Sequence, residues 1–520
     1  MATPREKVVE GLRLLKELQD KGAVAIHTEE IPSRANREVL VKNGFLKEVT
    51  RGWYISVDPT ERDGEITSWY SSYWEFCAKF LEHKYGSEWC VSADQSLYMH
   101  AGNWSVPPQL SIRSPKGNNK PTPLPHNISF FNLKTDIPTA DQIVIEKGIR
   151  MYSLQTSLIY SSAGAYGKSG IDARTTLSLI RDASELLPVL LEKGHSTIGG
   201  KLAGAFRNIQ RDRIADQILE TMKQAGYDIR EEDPFQDKLK INLSTRERSP
   251  FVNKIKLMWL QMREIVIKDF PAAPGIPNNH ETYLKNVDEM YVTDAYHSLS
   301  IERYKVTPEL IERVSSGQWD NNASEEDRKH KDAMAARGYY QAFQEVKETI
   351  IKILNNANSG TQSDKDHQRW YRQLFDPSVT AGILKSSDLA GYRNHQVYIC
   401  NSKHVPLNVD AMRDTMPILF ELLENEPEPL VRAILGHFVF VFIHPYMDGN
   451  GRMGRFLMNV MLASGGYPWT VIPVEIRSEY MKALEQASAE QDISAFSKFI
   501  AHLVKEGLEG KPVATLPKTN

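Results

Sequence analysis

Two apolar runs with a charged turn between them constrain this chain more than any other feature. Residues 430–443 read LVRAILGHFVFVFI and residues 456–466 read FLMNVMLASGG, while residues 444–455 between them read HPYMDGNGRMGR. A run as apolar as the first is buried on most sides as a helix, and the second has an apolar face at helical spacing through Met453, Phe456, Leu457, Val460 and Met461. Packing of the two helices therefore fixes the turn in space.

The residue types in the turn suit phosphate chemistry. Asp448-Gly449-Asn450-Gly451 is a tight turn at the start of a helix, where backbone N–H groups attract anions and glycine lets a phosphate approach the chain. Arg452 and Arg455 lie three apart, on one side of the first helical turn. Asp448 offers a hard oxygen ligand for Mg²⁺. His444, ended by Pro445, is suited to act as general base toward a hydroxyl, a role that contributes ~10²–10⁴-fold. A solvated helix–turn–helix connection is the plain alternative for the DGNG stretch alone.

The chain has 520 residues, enough for two to four domains. Its net charge of −3 makes it no polycation, so nucleic-acid contact requires a local patch. The three cysteines, Cys77, Cys90 and Cys400, are scattered and give neither a disulfide framework nor a CxxC zinc pattern. No secretory h-region or membrane-length apolar run is present. The expectation is a soluble, cytoplasmic protein without membrane attachment.

Residues 1–58 form the first unit by pattern. Val8, Leu12, Leu15 and Leu18 share a helical face that stops at Gly22; Ser33 caps a short helix that stops at Gly44; FLKEVTRGWYIS turns near Arg51-Gly52 as a β-hairpin. This order predicts a winged helix-turn-helix, with Arg34, Ala35, Asn36 and Arg37 opening a recognition helix and Lys47 and Arg51 on the wing. It resembles the N-terminal domain of AbiEi-type antitoxins, which implies DNA contact through Arg34, Arg37 and Arg51. Packing or protein contact is the other use for such a unit. Residues 60–240 read as a mixed α/β domain: an aromatic helix in ITSWYSSYWEFCAKFLEHKYG, strands in QLSIRSP, NISFFNL and DQIVIEKGIRMYS, and helices around Thr175–Glu192 and Arg211–Gly226. SADQSLYMHAG loosely resembles the second domain of AbiEi-like proteins; no chemistry is assigned to this region. SSAGAYGKSG lacks the first glycine of a P-loop and the strand before it. A polar linker near 245 leads to a mostly helical region, residues 250–508, and a disordered tail, 509–520. Within it, helices are expected over FVNKIKLMWLQMREIVIKDF, from His280 to about Arg303, and from Pro308 with Thr307 as N-cap.

The full string HPYMDGNGRMGR resembles HPFxDGNGRxxR, the signature of Fic-domain proteins, with Tyr446 in place of phenylalanine. The fold this implies is mainly α: an all-helical Fic core with a β-hairpin flap, preceded by the winged helix-turn-helix and the α/β middle domain. The activity it implies is transfer of AMP from ATP to a Ser, Thr or Tyr hydroxyl of a protein target or of the chain itself. His444 would be the base and Asp448 the Mg²⁺ ligand. Gly449, Asn450 and Gly451 would cradle the α- and β-phosphates, Arg452 would meet the β- and Arg455 the γ-phosphate, with Gly454 in the same nucleotide-binding stretch. GYRNHQVYICNSKHVP resembles the Fic flap, which would align a target by strand addition through Val397, Tyr398 and Ile399. RSEYMKALEQASAEQD resembles the stretch that flanks adenine, with Tyr480 and Leu484 as contacts; core packing serves equally for Leu484. YHSLSIERYKVTPELI resembles the family's inhibitory helix, (S/T)xxxE(G/N), with Ser298 and Glu302 at the required spacing and Glu302 paired to Arg455. Arg303 departs from the Gly or Asn of that motif. Alternatives that stay open are a different phosphate-containing donor, removal of AMP, a DNA-binding toxin–antitoxin-type regulator whose Fic domain senses nucleotide, and a homodimer.

Overall fold

The computed structural model describes residues 4–59, 61, 66–192, 195–235, 249–316, 331–511 and 514–517. Most of the expected linker near 245, the start of the charged stretch from 323, and parts of the tail lie outside these residues. Contacts divide the chain into two units: residues 1–250 with Tyr398–Val405, and residues 251–397 with 406–520.

The first unit begins with helix α1 (Pro4–Asp20), strand β1 (Ala25–His27), helix α2 (Arg34–Lys42) and strands β2 (Leu46–Thr50) and β3 (Trp53–Ser56). Ser33 caps α2 by accepting the Asn36 N–H at 3.3 Å. Gly22, Gly44 and Gly52 take positive φ at the expected stops and turn. The sequence pattern missed β1, whose three residues are too short for alternation to register. It pairs with β3 to give sheet order β1-β3-β2. Leu15, Ile26, Ile31, Leu40 and Leu46 form one small core under α1 and α2. Trp53 and Ile55 turn instead to the aromatic helix α3 (Thr67–Tyr85), sharing a core with Trp69, Tyr73 and Phe76, so packing runs continuously across residue 58.

Beyond α3 come β4 (Cys90–Val91), α4 (Ala93–His100), β5 (Gln109–Ser114), β6 (Lys120–Leu124) and β7 (Ile128–Lys134), in sheet order β4-β5-β7-β6. The pair β5–β7 is parallel. β6, KPTPL, was not expected as a strand, because prolines depress the pattern; both prolines sit on an edge strand, where a missing N–H is tolerated. The DQIVIEKGIRMYS stretch is a hairpin of β8 (Ile143–Glu146) and β9 (Ile149–Tyr152), turned at Lys147 and Gly148 with φ of 49° and 78°. Helices α5 (Leu154–Tyr160), α6 (Ala163–Lys168), α7 (Gly170–Ser178), α8 (Leu187–Glu192), α9 (Ser196–Asn208) and α10 (Asp212–Gln224) follow around a second core that includes Leu177, Leu202, Phe206 and Ile218.

Among its described residues the second unit is helical throughout: α11 (Pro250–Asp269), α12 (His280–Ile301), α13 (Pro308–Ser315), α14 (Lys331–Leu354), α15 (Ser359–Thr380), α16 (Val409–Asn425), α17 (Pro429–Ile443), α18 (Asn450–Ala463), α19 (Arg477–Ala489) and α20 (Ser494–Leu508). The chain is thus mainly α. Thr307 caps α13 as expected, accepting the Leu310 N–H at 3.2 Å. α14 and α15 pack at backbone distance at Gly338, where a Cβ would stand 2.0 Å from the Leu374 carbonyl oxygen. The two apolar runs are α17 and α18, packed together with nearly every side chain buried. The expected flap hairpin is absent: Gly391–Pro406 contains a turn at Asn401 (φ 59°) and no paired strands. Arg393 accounts for part of this, because the carbonyls of His395 and Leu407 accept from its guanidinium, not from a facing strand. Tyr398–Val405 pack with the first unit, where the Asn401 side chain accepts the Ile66 N–H at 3.0 Å.

Candidate active site

α17 ends and α18 begins around a loop locked from within. Asn450 spends its side chain on the loop, accepting the Tyr446 N–H at 2.9 Å and donating to the Tyr446 carbonyl at 2.8 Å. The Tyr446 ring is fully buried and stacks on Tyr371 at 3.7 Å between centroids. His444 caps α17 in the left-handed region (φ 57°, ψ 62°), a conformation costing on the order of 1–3 kcal/mol in a residue other than glycine. Arg393 holds it there: its Nε donates to the His444 carbonyl at 2.8 Å and its backbone N–H to the Pro445 carbonyl at 2.9 Å. Burial of this guanidinium pushes it down to about 10. The sequence pattern did not single out Arg393; nothing in its spacing ties it to a loop 51 residues away.

The His444 ring points its Nδ1 at the Val441 carbonyl, 3.2 Å away. Burial lowers its pKa to about 4, with Arg393 adding to the effect, so the imidazole is neutral near pH 7 and can accept a proton. Asp448 is mostly exposed; its Oδ1 accepts the Gly449 N–H at 2.6 Å and its Oδ2 lies 3.5 Å from Arg452 Nη2. Gly449 takes φ 81° as the N-cap of α18 and supplies no side-chain cap, which leaves the first N–H groups of α18 available to an anion.

The two arginines are almost wholly buried. Arg452 lies between two rings, 5.1 Å from the centroids of both Tyr304 and Phe375. Arg452 Nε and Arg455 Nη1 are buried without a hydrogen-bond partner among the described residues, and Arg452 Nη2 has only its 3.5 Å approach to Asp448. Buried cationic donors without acceptors are costly. An anion seated at the start of α18 would supply them.

Arg455 is otherwise engaged by α12. Its Nε donates to Ser298 Oγ at 2.8 Å, and its Nη2 to the Ser298 carbonyl at 3.0 Å and to Glu302 Oε1 at 2.8 Å. Burial pushes the Glu302 carboxyl up, but Arg455 and Arg452 outweigh it and hold it below its ordinary value. Glu302 also leans over the loop: a Cβ on Gly451 would stand 2.3 Å from Glu302 Oε1. α12 is kept in place by Arg477, whose Nε donates to the Ile301 carbonyl at 2.7 Å. The geometry thus brings together His444, Asp448, Gly449, Gly451, Arg452, Arg455, Ser298 and Glu302.

Other expected residues lie elsewhere. Gly454 faces α17, where a Cβ would meet Val441 Cγ1 at 2.9 Å, so its smallness serves helix packing rather than a ligand. Tyr480 lies beside Arg455 rather than apart from the site, but it is 1% exposed with its hydroxyl 2.9 Å from His437 Nε2, and its ring offers no free face to a base. Val397 belongs to the second unit and Tyr398 and Ile399 to the first, without a strand edge for addition. Arg34 is exposed and paired with Glu38 at 2.7 Å. Arg37 turns inward and caps the chain before α2, donating to the carbonyls of Thr28, Ile31 and Pro32. Arg51 is exposed at the hairpin turn.

Residues 363–462, which hold α16, α17 and most of α15 and α18, match the model of the Fic/DOC family. The chain carries a Fic domain. It is 26% identical over 277 residues to the protein adenylyltransferase Fic of Nematostella vectensis, covering 52% of this chain and 60% of that protein. Over 122 residues it is 38% identical to the protein adenylyltransferase Fic of Drosophila willistoni, covering 23% of this chain and 24% of that protein. The chain therefore spans less than two thirds of these curated relatives. A solved structure of Fic-1 from C. elegans aligns with 18% identity over 65% of this chain and 90% of its own, at a TM-score of 0.36. The loop and both arginines fall inside the matched residues, whereas Ser298 and Glu302 lie outside them.

Proposed function

We propose that the chain transfers AMP from ATP to the hydroxyl of a Ser, Thr or Tyr side chain on a protein, itself included, and that Glu302 restrains the reaction. The observation that carries this reading is the pair of buried arginines beside an uncapped helix start, one with an unpartnered donor and the other paired to a partly exposed carboxylate. That is a polyphosphate site with its γ-end blocked.

In the reaction, the target oxygen attacks the α-phosphorus, the bond from that phosphorus to the bridging oxygen breaks, and pyrophosphate leaves. His444, neutral near pH 7, takes the hydroxyl proton. The N–H groups around Gly449 and Gly451 meet the α- and β-phosphates, Arg452 the β- and Arg455 the γ-phosphate. Asp448 is a single hard carboxylate at the open rim of the loop, which fits Mg²⁺, an ion that keeps waters and shares phosphate oxygens. When bound, that ion would neutralise phosphate charge. Occupied by Glu302, Arg455 cannot meet the γ-phosphate, and ATP is held without alignment for attack. The curated relatives named as adenylyltransferases support this reading at family level.

The test is transfer of label from α-labelled ATP by the full chain. Glu302→Gly raises labelling severalfold and His444→Ala abolishes it, while γ-labelled ATP gives none. Unchanged labelling in both variants sinks the reading. Competition by UTP and GTP fixes the donor base, and loss of AMP from pre-labelled chain would point to the reverse reaction.

A further inference from the structure

Three residues of the first unit converge away from the Fic loop: His27 at the end of β1, Glu29 in the turn before α2, and His83 in the last turn of α3. Each offers one ligand atom, and these atoms all lie within 4.8 Å of one another; among the described residues this is the one such group of His, Cys, Asp and Glu. We propose that His27, Glu29 and His83 bind one divalent transition-metal ion of the zinc class.

The geometry around His27 supports a prepared ligand. Its Nδ1 is buried without a hydrogen-bond partner among the described residues and lies 3.5 Å from Glu29 Oε2. Its Nε2 lies 3.4 Å from the Thr28 hydroxyl, an acceptor that would hold the ring in the tautomer whose Nδ1 lone pair is free. The ring is fixed by its packing on Trp53, 4.9 Å between centroids, and β1 itself is fixed by pairing His27 with Trp53 in the sheet. The rings of His27 and His83 are 4.4 Å apart, and Trp53 also packs edge-on against His83 at 5.6 Å, giving the site one apolar wall.

The ligand atoms stand somewhat wider than a bound ion requires. With bonds of about 2.0–2.2 Å, the edges of a tetrahedral site are roughly 3.3–3.6 Å. The closure falls on the two exposed members: the Glu29 side chain is 80% exposed against 18% for His27, and His83 is exposed on the last turn of α3. Glu29 breaks no core contact in moving, and His83 needs only to adjust its edge contact with Trp53. Two imidazoles and one carboxylate select zinc, cobalt or nickel over magnesium and calcium, which prefer oxygen-only shells. The ion would tie β1 and the turn leading into α2 to the end of α3, and three protein ligands leave a fourth position for water.

The experiment uses the untagged full chain, stripped with chelator and titrated with Co²⁺, then Zn²⁺. Binding of one equivalent is expected, with visible d–d bands that Zn²⁺ bleaches and that excess Mg²⁺ leaves unchanged. His27→Ala and His83→Ala each weaken binding about tenfold or more, Glu29→Gln weakens it less, and His444→Ala leaves it intact, separating this site from the Fic loop. Zn²⁺ also raises the melting temperature of the wild-type chain and not of His83→Ala. Because His83 is exposed, that variant keeps the test valid even if His27→Ala fails to fold. The proposal is overturned if no equivalent binds in the micromolar range, or if binding survives loss of both histidines.

Discussion

Arg455 and Glu302, 153 residues apart in the chain, form an ion pair with its donor and acceptor 2.8 Å apart. The two partners are unequal. The Arg455 side chain is 4% exposed and also held by Ser298, whereas that of Glu302 is 27% exposed. The cation is fixed and the carboxylate is the part that can leave.

Removing the carboxylate should therefore lower stability and raise activity together. Breaking a buried pair costs about 3–5 kcal/mol, and exposure of Glu302 reduces this to roughly 1–3 kcal/mol. Glu302→Gly is expected to melt earlier than the wild type, and Mg-ATP should raise its melting temperature more than that of the wild type, because a γ-phosphate now fills the vacant place beside Arg455. Equal shifts with ATP in the two proteins would contradict competition for Arg455.

Arg303 follows Glu302 with φ 68°, in the left-handed region. The end of α12 is a Schellman closure, with the Tyr304 N–H reaching the Leu299 carbonyl at 3.1 Å and the Arg303 N–H the Ser300 carbonyl at 2.9 Å. Glycine or asparagine bears that conformation with less strain, which gives a physical reason for the G/N of the inhibitory motif. Arg303→Gly is expected to stabilise the chain by about 1 kcal/mol and to lower basal AMP transfer, read from chemical denaturation and α-label incorporation. A loss of stability would mean that contacts of the arginine side chain outweigh the backbone gain.

Most of the Fic loop was legible in sequence because its chemistry is contiguous: His444 to Arg455 is one turn and one helical start, and its flanking runs are apolar enough to need no partner information. Ser298 and Glu302 were legible only through the resemblance of YHSLSIERYKVTPELI to the family's (S/T)xxxE(G/N) helix. What was illegible depends on the third dimension. Arg393 acts on His444 through a loop crossing, and Tyr304 and Phe375 meet Arg452 from two different segments. Tyr480 reads as a ligand contact by position, but the structure buries it against His437 and beside Arg455. The flap misled because alternation in QVYIC signals an extended chain and says nothing about whether a second strand pairs with it. β1 and β6 escaped for local reasons, one too short and the other rich in proline.

The Tyr446 hydroxyl is buried without a hydrogen-bond partner among the described residues. Phenylalanine, the residue of the Fic signature, keeps the stack on Tyr371 and removes the unsatisfied group. Tyr446→Phe is expected to stabilise the chain by about 1 kcal/mol or more without changing its labelling rate. A drop in melting temperature would show that the hydroxyl has an acceptor, such as an ordered water.

His437 and His444 are both held down to about 4 from an ordinary 6.5, first by burial. The unfolded chain then binds more protons than the folded one between those values, so stability falls as pH drops through the window from 6.5 to about 4, and is independent of these groups above it. Near pH 5 each histidine is expected to cost about 2 kcal/mol relative to pH 7. His437 is the cleaner probe, since it is fully buried beside Tyr480 and Phe496, behind Gly454, and takes no part in the proposed chemistry. In His437→Gln the amide can still reach the Tyr480 hydroxyl, but nothing titrates. Whatever the substitution costs at neutral pH, the loss in denaturation free energy between about pH 7 and about pH 5 should shrink by roughly 2 kcal/mol. The same pH dependence in variant and wild type would mean that His437 already binds its proton in the folded chain.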